Sequence, residues 1–328
     1  MTWSNRYTPP DAKNWTGRID SPPNSCFFQI MKLLDLNGAL PEPEERATTI
    51  ALLGFCCDEG IKRNHGRIGA AEGPGLIRDV LGKMPIQKQK MICYDAGDIT
   101  CTDGDLESAQ QALADAVAML LAHRITPIVI GGGHEVAWGN YQGIIKQYPN
   151  EHLAIINFDA HFDMRPLLPD AKGSSGTPFL QIAKASEAAK RRFDYNCIGI
   201  QRTGNTQQLF GTAIDYNTQI ILADDLHQGN KTKCINFINR IIFHNQHVYL
   251  SICLDVFAQA FAPGVSAPQA MGITPWQIMP YVKRLAASGK VVSYDIAELC
   301  PPLDVDKRTA RLAANFVYEI IHYHAQEA

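Results

Sequence analysis

One short segment of the sequence carries a histidine between two aspartates, at a spacing that lets all three act together. The segment Asp159-Ala160-His161-Phe162-Asp163 directly follows the apolar run Leu153–Phe158. In an extended chain, residues two apart point to the same side, so Asp159, His161 and Asp163 converge. Burying two carboxylates and an imidazole without partners is costly, and a divalent cation removes that cost. The segment therefore predicts a metal site, with a hydrogen-bonded polar cluster as the alternative.

A glycine-rich turn presents a second histidine. The sequence Gly131-Gly132-Gly133-His134-Glu135 follows the apolar run Pro127–Ile130. Glycines permit a tight turn with positive φ and close backbone approach, and this turn would deliver His134 to the end of a strand. Taken alone, the motif is equally compatible with a nucleotide-type glycine loop or a simple turn.

Two further apolar runs also end in polar residues. In Ser251-Ile252-Cys253-Leu254-Asp255, the side chains of Cys253 and Asp255 align on one side. Cys253 could equally be a core thiol, because free cysteines are among the most buried residues. In Asp295-Ile296-Ala297-Glu298, the last residue could receive a cationic substrate group, or it could cap or pair at the surface.

All four motifs belong to a regular alternation of short apolar runs and helical patterns. The runs are Ile50–Phe55, Met91–Tyr94, Pro127–Ile130, Leu153–Phe158, Asn196–Ile200, Gln219–Leu222, Val248–Leu254 and Val291–Tyr294. Their β-branched residues are typical of strands buried on both faces of a parallel sheet. Helical patterns lie between most of them, including Leu106–Arg124 and one from Thr274 to Gly289, and Arg308–Gln326 follows the last run.

This alternation predicts one three-layer α/β/α domain over residues 46–328, with a mostly parallel sheet of about eight strands. Residues 1–45, rich in Pro, Asn and Asp, are expected to form an extension packed on or draped over that domain. Ligands of open α/β sheets bind beyond the carboxyl ends of the strands, so the four motifs should meet there. With a shared carboxylate they could hold two metal ions. Oxygen-rich ligands with imidazole suit Mn²⁺, and the reaction class would be hydrolysis.

Composition excludes several other classes of protein. The 328 residues include 30 Lys plus Arg and 33 Asp plus Glu, a net charge of −3, which gives no electrostatic case for nucleic acid or an anionic membrane as partner. No apolar run approaches a membrane span, and the first residues do not resemble a secretory leader. The nine cysteines lie mostly in apolar runs, so we expect reduced thiols and a cytoplasmic protein.

In this order, the four motifs resemble those of the ureohydrolases, the family of arginase, agmatinase and formimidoylglutamase, from about residue 50 to the C-terminus. The resemblance implies hydrolysis of guanidine or amidine C–N bonds with two Mn²⁺ per chain in an arginase-like fold, and a homo-oligomer. It also implies that Glu298 accepts a hydrogen bond from the substrate's amidinium nitrogen. The residues that it implies as metal ligands are His134, Asp159, His161, Asp163 and Asp255.

Within the family, the details resemble the formimidoylglutamases of histidine degradation. The similar segments are 57–64 with Gly66-Arg67, Asp163-Met164-Arg165, Ser175–Phe179, Gly199–Thr206 and Ala262–Pro268. The implied substrate, N-formimidoyl-L-glutamate, has two carboxylates, which favour arginine partners. Arg165, two residues past Asp163, is the first candidate, followed by Arg63 and Arg202.

The resemblance implies a mechanism as well. A metal-bridging hydroxide attacks the amidine carbon while Glu298 and the metals stabilise the tetrahedral species. Asp163, as ligand and catalytic residue, relays the proton. The products are L-glutamate and formamide.

Cys253 departs from the family pattern, which usually carries a metal-bridging aspartate at this position. A thiolate can bridge metals, but it is softer and favours zinc or iron over manganese. Cys253 could therefore serve as a ligand, weaken one site or mark a loss of activity. Two other functions stay open: an agmatinase- or guanidinobutyrase-type hydrolase, and a metal-poor pseudoenzyme that binds a ligand on the same fold.

Overall fold

The computed structural model describes residues 5–42, 48–87 and 91–324. Within these ranges ten strands form one sheet, in the order β1-β4-β3-β5-β10-β9-β6-β7-β8, with β2 paired to β4. The β1–β4 pair is antiparallel, and the other pairs are parallel. The strands are β1 (Tyr7–Thr8), β2 (Lys32–Leu33), β3 (Thr48–Cys56), β4 (Met91–Thr100), β5 (Thr126–Ile130), β6 (Leu153–Phe158), β7 (Asp194–Ile200), β8 (Gln219–Leu222), β9 (His247–Cys253) and β10 (Val291–Ala297).

Helices cover both faces of this sheet. In the described ranges they are α1 (Phe27–Ile30), α2 (Glu59–Arg63), α3 (Gly73–Gly82), α4 (Leu106–Ala122), α5 (Val136–Gln147), α6 (Pro178–Ala188), α7 (Gln207–Asp215), α8 (Ala223–His227), α9 (Lys231–His244), α10 (Pro275–Ala287) and α11 (Arg308–Tyr323). Helices α1, α3 and α8–α11 contribute to the core on one face, and α4–α7 to the core on the other. The predicted three-layer α/β/α fold is confirmed.

Strand β3 shows why the apolar runs become central strands. Ile50 and Leu52 pack into the core on one face of the sheet, while Ala51 and Leu53 pack into the core on the other. Alternate side chains point to opposite faces, so a strand covered on both sides must be apolar at every position. The eight predicted runs correspond to β3–β10, and β1 and β2 are two-residue strands before them.

The predicted helix ends agree with the structure to within two residues where they can be compared. Helix α4 starts after Asp105, whose side chain accepts a hydrogen bond from the Ser108 amide. Helix α10 starts at Pro275, with Thr274 before it. For α11, the predicted end at Gln326 lies outside the described residues.

The described part of the N-terminal extension, residues 5–42, packs against the β4 side of the sheet. The indole of Trp15 donates a 2.8 Å hydrogen bond to Asp95 Oδ2, and the hydroxyl of Tyr7 accepts one from the Leu36 amide. Trp15 and Leu36 are buried. None of the helices in the described ranges has the length and apolarity needed to cross a membrane.

Candidate metal centre

Four neighbouring strands end at the candidate site. The sheet order places β5, β10, β9 and β6 side by side, all parallel, so the turns after them meet at one edge. These are the strands that the four sequence motifs follow. The topology thus brings together residues that are far apart in the chain.

The turn after β5 depends on its glycines. Gly131 and Gly132 have φ angles of 84° and 75°, and a Cβ on Gly132 would lie 2.7 Å from the Phe55 ring. Glycine permits this conformation and this close approach. The turn places the buried His134 ring with Nδ1 2.8 Å from Asp163 Oδ2 and 3.0 Å from Asp159 Oδ2.

The segment after β6 is held by the side chain of Asn205. Its Oδ1 accepts a 3.0 Å hydrogen bond from the Phe162 amide, and its Nδ2 donates one of 2.8 Å to the Ala160 carbonyl. In this conformation His161 Nδ1 lies 3.1 Å from Asp255 Oδ2. No role was predicted for Asn205 from the sequence, although it lies in one of the segments that carry the resemblance.

Two groups of possible ligands share one carboxylate. His134, Asp159 and Cys253 form the first group, and Asp159, His161 and Asp255 form the second. Within each group the ligand atoms lie within 4.8 Å of one another. Asp163, beside His134, is the sixth predicted ligand residue. The structure brings all six together.

Burial and mutual contact shift the pKa values of these groups. Burial, reinforced by the charge of Asp159, raises the pKa of Asp163 to about 6. Burial also raises the pKa of the Cys253 thiol well above its usual value, and the Asp159 and Asp255 carboxylates add to this. For Asp159, burial acts to raise the pKa, but hydrogen bonds with His134 and His161 outweigh it and lower the pKa. Several carboxyl groups and a thiol buried side by side favour the binding of cations.

A buried chain of hydrogen bonds fixes the other nitrogen of His134. His134 Nε2 lies 2.8 Å from Ser251 Oγ, and Ser251 donates a 2.6 Å hydrogen bond to Asp295 Oδ1. The hydroxyl of Tyr249 and the amide of Asn140 donate to the second oxygen of Asp295. Because the single Ser251 proton is given to Asp295, Ser251 accepts from His134 Nε2–H. Nε2 therefore keeps its proton, and Nδ1, which faces the Asp159 and Asp163 carboxylates, is the nitrogen that would give up its proton to bind a metal.

Ser251 and Asp295 lie in the sequence motifs, but no role was predicted for either residue. The two residues are partners in the register of β9 and β10, and this register is not evident from either motif alone. Gln269 lies beside Nε2 of the second histidine, as Ser251 does for His134, with its own Nε2 3.3 Å from His161 Nε2.

A cavity of about 290 Å³ opens over the two ligand groups. Glu298 lines it, with φ 73° and with Oε1 accepting a 2.9 Å hydrogen bond from the His134 amide. Arg165 also lines it, and no described residue pairs with its guanidinium. The other lining residues are Asn64, His65, Gly66, His161, Asp163, Ser175, Cys253, Asp255, Ser266 and Ala267. Larger cavities of about 540 and 490 Å³, which both border Arg192, contain none of the predicted site residues.

Arg63 and Arg202, predicted with Arg165 as substrate ligands, do not line this cavity. Arg63 ties α2 to the start of α4, with Nη1 2.6 Å from Glu107 Oε1. Arg202 is exposed and lies 3.6 Å from the Asp224 carboxylate. Arg63 already has an acidic partner 44 residues along the chain, which the sequence pattern does not reveal. These two arginines are therefore not carried into the proposed substrate site.

Glu135, Asn64, His65 and Ser266 were not predicted as site residues. Asn64, His65 and Ser266 line the cavity. Glu135 is fully buried and accepts a 2.9 Å hydrogen bond from the amide of Gly60 in α2, the helix that ends just before Asn64. All four lie in or beside segments that carry the family resemblance, and this was the only signal for them in the sequence.

Comparison with known proteins agrees with this geometry. A sequence model of the arginase family matches residues 48–322. A formimidoylglutamase of Legionella pneumophila (strain Paris) is 45% identical over 315 residues, which cover 96% of this chain and 97% of the relative. A formimidoylglutamase of Geobacillus thermodenitrificans is 41% identical over 323 residues, covering 97% of this chain and 98% of the relative.

The fold also matches a solved structure that contains manganese. The crystal structure of Trypanosoma cruzi formiminoglutamase with Mn²⁺ superposes with a TM-score of 0.78 at 27% sequence identity, covering 88% of this chain and 97% of that one. The family match spans nearly all of the described sheet, including the four strands that end at the candidate centre. The chain belongs to the arginase family.

Proposed function

We propose that the chain hydrolyses N-formimidoyl-L-glutamate to L-glutamate and formamide in a metal-dependent reaction. The observation that carries the proposal is the pair of ligand groups joined by Asp159 beneath the cavity, because such a pair suits two cations beside a bound substrate. The formimidoylglutamases of Legionella and Geobacillus support this choice of substrate. The Mn²⁺ of the Trypanosoma structure supports manganese as a cofactor.

The residues present fit two divalent cations per chain. Each ligand group offers one imidazole and at least one carboxylate, and Asp163 adds an oxygen beside His134. Asp255 Oδ1 is buried with no hydrogen-bond partner among the described residues, so a donor atom is free for a cation. When bound, the cations would give hydroxide from water near neutral pH and polarise the substrate.

Glu298 and Asp163 are the proposed catalytic residues. Glu298 accepts a hydrogen bond from the amidinium nitrogen of the substrate, and this opposite charge favours the ionised form of the carboxyl. Without it, burial and the charge of Asp255 raise the pKa of Glu298 well above its usual value. Asp163 takes the proton of the attacking water and gives it to the leaving glutamate amine.

Arg165 is the proposed partner for a substrate carboxylate. Arg165 lines the cavity, and its guanidinium has no partner among the described residues. Its amide donates a 2.9 Å hydrogen bond to the Gly176 carbonyl, which fixes the base of the side chain. A planar guanidinium binds a carboxylate through two parallel hydrogen bonds. A dicarboxylate amidine therefore fits this cavity better than agmatine, which has no carboxylate.

The proposal includes a cellular setting. We assign the reaction to histidine degradation in the cytoplasm, and we expect a homo-oligomer that has no nucleic-acid or membrane partner. The nine cysteines are free thiols, which supports a reducing compartment. The homo-oligomer follows from the family resemblance alone.

A substrate panel tests the proposal. Purified protein, preincubated with Mn²⁺, is given N-formimidoyl-L-glutamate, agmatine, 4-guanidinobutyrate or arginine in parallel. We expect formamide and glutamate in equal amounts from the first substrate and a far lower kcat/KM for the others. Preference for agmatine or 4-guanidinobutyrate would instead indicate an agmatinase- or guanidinobutyrase-type hydrolase. Less than a fraction of one bound metal ion per chain, with no turnover of any of the four, would favour the metal-poor pseudoenzyme.

A further inference from the structure

The two ligand groups of the centre differ in the chemistry of their donor atoms. The first group offers His134 nitrogen, Asp159 oxygen and Cys253 sulfur, and the second offers His161 nitrogen with oxygens of Asp159 and Asp255. Asp159 belongs to both groups, so the contrast comes from Cys253 on one side and Asp255 on the other. A centre made for two identical hard cations would have no need of this asymmetry.

We infer that the centre is heterodinuclear: the Cys253 group binds a thiophilic divalent metal such as Zn²⁺, Fe²⁺ or Co²⁺, and the Asp255 group binds Mn²⁺. This inference rests on the two-metal centre of the proposed function and replaces one of its two manganese ions. Thiolate ligands select softer metals, whereas carboxylate and imidazole ligands suit Mn²⁺. Sites of this kind also bind Zn²⁺ more tightly than Mn²⁺, and a thiolate increases that preference.

The surroundings of Cys253 support a ligand role rather than a packing role. The side chain is buried, and none of the described residues makes a hydrogen bond to its sulfur. The residue also lines the cavity, beside Asp163 and Asp255. A sulfur with only core contacts would not border a polar cavity among carboxylates. When the metal binds, the S–H bond breaks, the sulfur keeps the electron pair and the proton leaves to solvent.

The first group can supply four donors of a kind that zinc accepts. Asp163 Oδ2 lies 2.8 Å from His134 Nδ1, so it can join Asp159, His134 and Cys253 as a second oxygen ligand. One nitrogen, two oxygens and one sulfur make a four-ligand set of the types that Zn²⁺ binds. The second group lacks sulfur and keeps Asp255 Oδ1 free for a harder cation.

Cobalt substitution tests the inference without relying on activity. Metal-free protein receives one equivalent of Co²⁺ and then one of Mn²⁺, followed by near-ultraviolet absorption for the thiolate-to-cobalt charge-transfer band and by electron paramagnetic resonance for Mn²⁺. We expect the band to be complete at one equivalent of Co²⁺ and to persist when one Mn²⁺ binds. Absence of the band with cobalt bound, or displacement of the cobalt by equimolar Mn²⁺, would overturn the inference.

Two variants and a control test whether the sulfur of Cys253 is the one that gives the charge-transfer band. Cys253→Ser and Cys253→Asp should lose the band, and Cys253→Asp should bind two Mn²⁺, whereas Cys101→Ser, half-buried and outside both ligand groups, should keep it. A band that survives in Cys253→Ser would contradict the assignment. If the Cys253 variants do not fold, ¹¹³Cd resonance of the wild-type chain decides, because a thiolate-bound cadmium resonates far from one bound only by oxygen and nitrogen.

Turnover measured on the same samples separates the two proposals. Hydrolysis of N-formimidoyl-L-glutamate without the band would retain the proposed function and reject the mixed centre. The band without hydrolysis of any substrate would retain the mixed centre and reject the function. The band together with hydrolysis would support both the mixed centre and the proposed function.

Discussion

At the scale of single residues, the centre is a set of acidic groups that water cannot stabilise. Asp159 is fully buried, and Asp255 and Glu298 are nearly so. A buried carboxylate is stable only when it is paired, hydrogen-bonded or bound to a metal. The imidazoles of His134 and His161 satisfy part of this need. Bound cations would satisfy the rest, and for that reason we expect the chemistry and the metals to be inseparable.

Asp163 is the residue whose replacement should affect turnover most directly. Asp163→Asn keeps the shape of the side chain but cannot take up a proton, so we expect kcat to fall about 100-fold or more. The measurement is formamide release at saturating substrate and metal. Asp170→Asn, in an exposed 3-10 turn seven residues along the chain, is the control and should leave kcat unchanged. Wild-type kcat in Asp163→Asn would remove Asp163 from the mechanism.

Arg165 lines the cavity and Arg202 lies at the surface, so replacing each by alanine should affect substrate binding differently. Arg165→Ala should raise KM for N-formimidoyl-L-glutamate about 10- to 100-fold, with a smaller change in kcat, because a charged hydrogen-bonding partner of the substrate is lost. Arg202→Ala should leave both constants at their wild-type values, since Arg202 is exposed and pairs only loosely with Asp224. Steady-state kinetics of both variants decides. An equal rise of KM in Arg202→Ala would contradict the placement of the substrate.

At the scale of elements, the order β5-β10-β9-β6 is what makes a site out of four separate motifs. The period of the apolar runs was sufficient to predict eight strands and their carboxyl ends, and hence the meeting of His134 with Asp159. It was not sufficient for the register, because Ser251 faces Asp295 only through the pairing of β9 with β10. The support of His134 by that pair therefore became evident only in three dimensions.

Asp295 tests this support through its effect on metal binding. Asp295→Asn places an amide where the Ser251 and Tyr249 hydroxyls now donate to one carboxylate, so the orientation of His134 should loosen. We expect the affinity for the first metal to fall about 10- to 100-fold, as measured by competition with a chromophoric chelator.

Ser293→Ala is the matched comparison for Asp295→Asn. Its hydroxyl donates to Asn140, which in turn donates to Asp295, so Ser293 lies two hydrogen bonds farther from His134 than Asp295 does. Its effect on metal affinity should therefore be smaller. If Asp295→Asn folded normally and bound metal as tightly as the wild type, Asp295 would have no positioning role.

At the scale of the whole molecule, a buried ion network joins the N-terminal segment to the sheet. Arg78 is 1% exposed and donates to Asp95 Oδ1 at 2.8 Å and to Asp98 Oδ1 at 2.6 Å. Trp15, from the N-terminal segment, donates to the other oxygen of Asp95. This network was not predicted from the sequence, because its members lie in three separate parts of the chain and none belongs to a motif.

Arg78→Met should lower the free energy of unfolding by about 3–5 kcal/mol, because it leaves the buried Asp95 carboxylate without its charged partner. Urea unfolding followed by tryptophan fluorescence and circular dichroism measures the loss. The control is Arg18→Met. This arginine is exposed, and among the described residues its one ion pair is with exposed Asp20, so its loss should not be detectable. Equal stability of both variants would show that the network does not stabilise the fold.

The overall fold could be predicted from the sequence, whereas the shortest strands and some long-range contacts could not. The three-layer fold followed from the strand and helix periods, since each apolar run had to be covered on both faces. The strands β1 and β2 were not predicted, because two residues cannot show a period. Arg63 was predicted as a substrate ligand, but its pairing with Glu107 depends on how the α2 loop meets α4. Chain packing, which the local pattern does not contain, determines such contacts.

The most direct test of the account is to count metals and turnover on the same protein. Metal-free chain is titrated with one equivalent of Co²⁺ and then with Mn²⁺, and formamide release from N-formimidoyl-L-glutamate is followed at each step. We expect turnover to reach its maximum when two metal ions are bound per chain and to disappear when a chelator removes them. Two bound metals without formamide release, or full turnover in the metal-free chain, would contradict it.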